Sequence, residues 1–102
     1  MKPPFDLVRI IDKKRYSVKT ATLLADDAYW DGHNFERQGH NTFLYRTPGG
    51  AYFEVNLTQW QGERDTLIPV TQQEAIELFE TNLSEHAVTY AEAFPTVEVV
   101  DA

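Results

Sequence analysis

The chain of 102 residues contains no cysteine, a single methionine and three histidines, and it has no lysine after Lys19. Lack of cysteine excludes a disulfide framework and any thiolate metal site. No run of about 18 apolar residues occurs, so no segment reads as a membrane-spanning helix. The opening stretch MKPPFDLVRIIDKKR interrupts its apolar residues with charges and lacks the apolar centre of a secretory signal, which makes the cytoplasm the expected compartment. No serine stands in a nucleophile-elbow context. The glycines of TPGGAY sit in a turn between two strand patterns rather than between a strand and a helix, so they do not form a phosphate-cradling loop. These absences leave no catalytic residue and no cofactor to assign, and point away from an enzyme.

What is present is enough to build one core. Hydrophobic residues make up 42% of the chain and aromatic residues 13%, more than disordered segments carry, and 102 residues suit a single globular domain over 1–102. The net charge of −7 is unevenly placed. Residues 1–19 hold six cations against two acids, a net of +4, whereas residues 20–102 hold three arginines against fourteen acids, a net of −11. An acidic body repels a polyanion, so nucleic acid is not an expected partner despite the basic head.

Periodicity predicts an α+β fold with a mainly antiparallel sheet of four to five strands, at about 7–11, 15–18, 42–47, 51–58 and 66–70. The segment TATLLADDAYWDG carries Ala21, Leu24, Ala25 and Ala28 at helical spacing and predicts a helix over 21–30, with Asp26 and Asp27 facing water and Gly32 as its stop. In NTFLYRTPGGAYFEVNLTQW, a three-residue Pro48-Gly49-Gly50 loop would pair Tyr45 with Phe53 and Phe43 with Val55, so that the core face gains four apolar side chains and Leu57. The reverse face, with Arg46 and Tyr52, either meets a planar ligand or is covered by a helix. TQQE is a capping box that starts a helix over 72–82, with Ala75, Ile76, Phe79 and Leu83 as its buried stripe and Asn82 as a left-handed stop. A second box, TYAE, starts a short helix near 90–94 that Pro95 closes. The tail 96–102 either adds a strand or is disordered.

The succession KRYSVKTATLLA, TFLYRTPGGAYFEV and LIPVTQQEAIELFE resembles a group of short bacterial proteins, many of them uncharacterised. Their shared features are a Tyr-x-x-x-Thr-Ala segment, a Leu-Tyr-Arg-Thr-x-x-Gly-x-Tyr-Phe hairpin and an Ile-x-Pro-Leu-Thr-x-x-Glu-Ala helix start. The resemblance covers roughly residues 13–83, with Val70 where the usual pattern has leucine. It implies an α+β fold and a cytoplasmic origin, and it carries no activity.

Candidate chemistry is sparse. In WDGHNFERQGH, His33, Glu36 and His40 supply residue types that bind zinc, but the surrounding Gly32, Asn34, Gly39 and Asn41 favour a turn-rich loop over the helix that would converge them. His86 reads as a surface histidine. Trp60 in TQWQGERD either covers an edge of the core or anchors an interface, with Arg64, Arg46 and Tyr52 as the other interface candidates. The expected role is a small interaction module binding a protein partner or a second copy of itself. The alternatives are a metal- or small-ligand-dependent protein using the 31–40 loop, and an acidic mimic of nucleic acid.

Overall fold

The computed structural model describes residues 2–27, 40–58, 62 and 64–102. Strands β1 (Val8–Ile11) and β2 (Lys14–Ser17) form a two-stranded ribbon in the register Val8 to Ser17 and Ile11 to Lys14. Two residues, Asp12 and Lys13, make its turn, both at positive φ (54° and 65°). That pair of left-handed residues matches the right-handed twist of the flanking strands, so the ribbon closes tightly without glycine.

A five-stranded antiparallel sheet follows, in the order β6-β5-β4-β3-β7. It comprises β3 (Thr22–Asp26), β4 (His40–Arg46), β5 (Tyr52–Thr58), β6 (Thr66–Val70) and the two-residue β7 (Glu85–His86). The β4–β5 hairpin has the expected register, with Tyr45 opposite Phe53 and Phe43 opposite Val55. Its loop closes with Thr47 N–H donating to the Ala51 carbonyl at 2.8 Å, and Gly50 at φ 92° takes the left-handed position. Pro69 lies on β6, an edge strand, where its missing N–H removes no internal ladder bond.

The segment expected to be a helix over 21–30 is instead strand β3, and residues 28–30 of that expectation lie outside the described residues. The apolar run ATLLA satisfies the helical and the extended period equally. Pairing with β4, on the far side of a long connection, decides for the strand. Asp26 and Asp27 are half-buried rather than solvent-facing. Asp27 accepts from the Thr42 amide at 2.8 Å and from Asn41 Nδ2 at 3.4 Å, which fixes the chain where β3 ends against the start of β4.

One helix dominates the other side of the sheet. It begins as α1 (Gln72–Glu77) and widens into a π-helical turn, Leu78–Asn82, closed by Leu83 N–H donating to the Leu78 carbonyl. The wider turn gives the last carbonyls partners without a left-handed residue. Asn82 therefore does not serve as the left-handed stop, and Leu83 leaves in an extended conformation. The short α2 (Tyr90–Ala93) follows β7, and the tail forms no strand, with Val99 and Val100 exposed. The fold is α+β with one main helix, not two. Among the described residues no helix is long and apolar enough to cross a membrane.

Each face of the sheet has its own core. Leu24, Ala25, Leu44 and Tyr52 meet Ala75, Phe79, Leu83 and Phe94 on the helical side. On the opposite face, Phe43, Tyr45, Phe53, Val55 and Leu57 are covered by Tyr16 and the half-buried Leu7, Ile11 and Val18 of the N-terminal ribbon and its flanks. Both expected capping boxes are formed, the Thr71 and Thr89 amides donating to Glu74 and Glu92 at 3.0 Å each. These bonds hold both carboxyls below the usual carboxylate range. A depressed folded value means that the stabilisation is present above the unfolded value and is lost as pH falls through the folded one. Titration followed by amide chemical shifts should thus show the Thr71 and Thr89 amides moving with midpoints below those of unfolded-chain glutamates. Midpoints at or above them would contradict the caps.

Candidate functional site

The residues singled out by sequence do not converge. His40 is exposed at the first position of β4, opposite Thr58, whereas His33 and Glu36 lie outside the described residues. Among the described residues, no group of three histidine or acidic side chains could hold a metal ion. Of the interface candidates, Trp60 lies outside the described residues and Arg64 is exposed. Tyr52 is buried: its hydroxyl donates to the Ala93 carbonyl at 3.0 Å and its ring packs 5.4 Å from that of Phe94. It belongs to the core because the helical layer covers the reverse face of the hairpin. Arg46 on the same face is half-buried, with its Nε enclosed and without a hydrogen-bond partner among the described residues. His86 stays exposed but has a structural task. Its ring stacks on Phe79 at 3.9 Å, and its Nε2 lies 2.8 Å from the Phe79 carbonyl, so that nitrogen carries the proton and donates.

Two other features emerge from the fold. The first is a separation of charge across the sheet. On the ribbon's outward face Val8 and Ile10 pair with Ser17 and Arg15, leaving Ile10 68% exposed, and Arg9, Lys13, Lys14 and Lys19 are exposed along the ribbon and its flank. On the opposite side the helical layer exposes Glu74, Glu77, Glu80 and Glu92, edge strand β7 adds the exposed Glu85, and no Lys or Arg follows Arg64. Sequence reasoning found this asymmetry along the chain. It did not reveal that the sheet would turn it into two opposed surfaces.

The second feature is a cavity of about 500 Å³ between the N-terminal segment and the β3–β4 pair. Phe5, Val18, Ala21, Leu23 and Phe43 make its apolar walls, and Asp26, Tyr45 and Lys2 its polar positions. A β-bulge builds it. Leu23 pairs with Tyr45, the register shifts across Leu24 and Ala25, and Asp26 then pairs with Phe43. Leu24 and Ala25 both enter the helical core, which returns Asp26 to the ribbon side. Strict alternation would have sent Asp26 to the helical face. Tyr45 is only 6% exposed and its ring stacks on Phe53 at 5.1 Å. Burial, and secondarily the charge of Asp26, push its phenol up to about 12, so it keeps its proton throughout the physiological range.

No family model matches the chain, and neither the curated proteins nor the solved structures contain a significant match. The case for function therefore rests on geometry and charge.

Proposed function

We propose that the protein is a small non-enzymatic interaction module of the cytoplasm that associates with a second copy of itself, the basic ribbon of one molecule docking on the acidic helical side of the next. The observation that carries this reading is the opposition of charge: a +4 segment folded on one side of the sheet and the acidic helical layer on the other. Each copy thus offers both complementary surfaces, and like copies attract head to tail rather than face to face. Val8 and Ile10, exposed within the cationic surface, supply apolar area that ion pairs alone lack. An acidic binding surface on a different protein would exploit the same ribbon, but this chain already carries one.

Size-exclusion chromatography with light scattering at high micromolar protein tests the reading. In about 10 mM salt, where the Debye length is about 30 Å, the mass should exceed the 11.7 kDa of one chain. It should return to that value in about 1 M salt, where screening sets in at about 3 Å. Arg15→Glu, on the ribbon's outward face, should abolish the low-salt species. A monomer at every salt concentration, or a complex indifferent to Arg15→Glu, would overturn the proposal.

A further inference from the structure

We propose that residues Glu98 to Asp101 of one copy add as an extra strand to the open edge of β1 in the next. The inference rests on the self-association reading and names the contact that carries it.

The open edge follows from the register of the ribbon. Its two-residue turn makes Ile11 and Lys14 a hydrogen-bonded pair, and in an antiparallel ladder such pairs alternate with pairs whose N–H and C=O groups point away from each other. Arg9 and Tyr16 are therefore bonded, as is the flanking pair, where Val18 N–H donates to the Leu7 carbonyl at 3.0 Å. Val8 and Ile10 turn their backbone groups outward, and no hydrogen bond among the described residues takes them up. β1 is also uncovered. Val8, Arg9 and Ile10 are exposed in succession, so most of the strand stands clear of the core, whereas the buried Tyr16 holds β2 down. An exposed edge of this kind is a template for another strand.

Segment 98–101 has the complementary character. Val97 packs on the helical core and its N–H donates to the Phe94 carbonyl at 3.1 Å. Beyond it, Glu98, Val99, Val100 and Asp101 are exposed and make no hydrogen bond among the described residues. The two valines are 71% and 75% exposed, and β-branched residues favour an extended, half-covered strand. When the segment is extended, Val99 and Asp101 share one face and Glu98 and Val100 the other, so each face carries one valine and one acid. The ribbon answers with an aliphatic residue and a cation on each of its faces, Ile10 with Arg15 outward and Ile11 with Arg9 inward. Opposite charges and apolar pairs on neighbouring strands are the contacts that stabilise a sheet.

Charge selects this edge among those of the fold. On the main sheet the β6 edge carries Pro69 and lies next to Asp65, and the other edge ends in β7 with Glu85, so both disfavour an acidic strand. The ribbon edge is cationic. It is also out of reach within one molecule. Asp101 lies at most about 14 Å of extended chain from Val97. The helical core that holds Val97 and the ribbon are on opposite faces of the sheet, with roughly 10 Å of packing on each side. The edge that meets the segment is thus another copy's.

Successive residues of a strand aim their N–H groups to opposite sides, so replacing both valines by proline removes a ladder donor whichever of them faces β1. Because both are exposed and unbonded, Val99→Pro/Val100→Pro should leave the urea midpoint and the amide shifts of β4 and β5 unchanged. The full chain at high micromolar concentration in about 10 mM salt should exchange the Val8 and Ile10 amides about 10-fold more slowly than dilute protein in the same salt. The double variant should show no such slowing, and light scattering should give it the mass of a single chain. A complex that persists in the variant, or that forms without slowing exchange at Val8 and Ile10, overturns this inference and leaves self-association standing, with the helical glutamates as the acceptor. A wild-type chain that is monomeric at every salt concentration overturns both.

Discussion

Phe94→Ala is expected to cost about 3–5 kcal/mol of stability, a large part of the roughly 5–15 kcal/mol that holds a domain folded, and to release the C-terminal layer before the sheet itself opens. The Phe94 side chain is fully buried, and its ring lies 5.4 Å from Tyr52, 5.5 Å from Phe79 and 5.1 Å from Tyr90. It joins the sheet, the π-helical turn and α2 in one cluster. A four-residue helix has no stability of its own, because nucleation costs more than a single turn returns. Once the ring is gone, α2 keeps the buried Ala93, the edge contact of Tyr90 with Phe79 at 5.8 Å, the Tyr52 bond to the Ala93 carbonyl, the exposed Tyr90 bond to Glu80 at 2.8 Å and the Gln72 bond to Thr96 at 3.2 Å. Exposed bonds of this kind add little against water. Urea unfolding should register the loss, and native-state hydrogen exchange should show the amides of Ala93 and Phe94 losing protection relative to those of β4 and β5. A loss below about 2 kcal/mol with protection intact would mean that the hydrogen bonds, not the ring, hold the layer.

How far the sequence could be read depended on whether a signal was local. The β4–β5 register was legible because Pro48-Gly49-Gly50 limits the loop and the two-residue period then admits one match of apolar faces. The start of α1 was legible because Thr71 and Glu74 interact within a single turn. β3 was not legible: its five residues carry no periodicity that separates strand from helix, and its partner β4 begins fourteen residues after it ends. The bulge compounds this, since nothing in TLLAD marks Leu24 and Ala25 as sharing a face. The cavity inherits both difficulties. Tyr45 was correctly expected in the core, but its hydroxyl meets the field of Asp26 only through a pairing that the sequence does not announce. The 31–40 loop was the best-marked candidate for a metal, yet only His40 of its three proposed ligands is among the described residues.

The second large effect is expected on the opposite face. Phe53→Ala should also cost about 3–5 kcal/mol, but it should loosen the ribbon and the cavity rather than the helical layer. Phe53 is fully buried near the start of β5, stacked on Tyr45 at an interplanar angle of 10° and met edge-on by Tyr16 at 5.8 Å. Tyr16, 7% exposed, is the one buried side chain that the ribbon contributes to this core, and Phe53 is the surface it rests on. Truncation thus removes the floor beneath Tyr16 and the stacked partner of Tyr45 in one step. A two-stranded ribbon is at best marginally stable by itself, so β1 and β2 should lose exchange protection well before β4 and β5 do. The same change removes the stacked support of the Tyr45 ring, which lines the cavity, although Phe53 itself does not. Near-ultraviolet circular dichroism of the tyrosines, exchange at Val8 to Ser17 and urea unfolding measure these together. If the ribbon amides kept their protection while global stability fell, its attachment would rest on Leu7, Ile11 and Val18 instead of on the Tyr16–Phe53 contact.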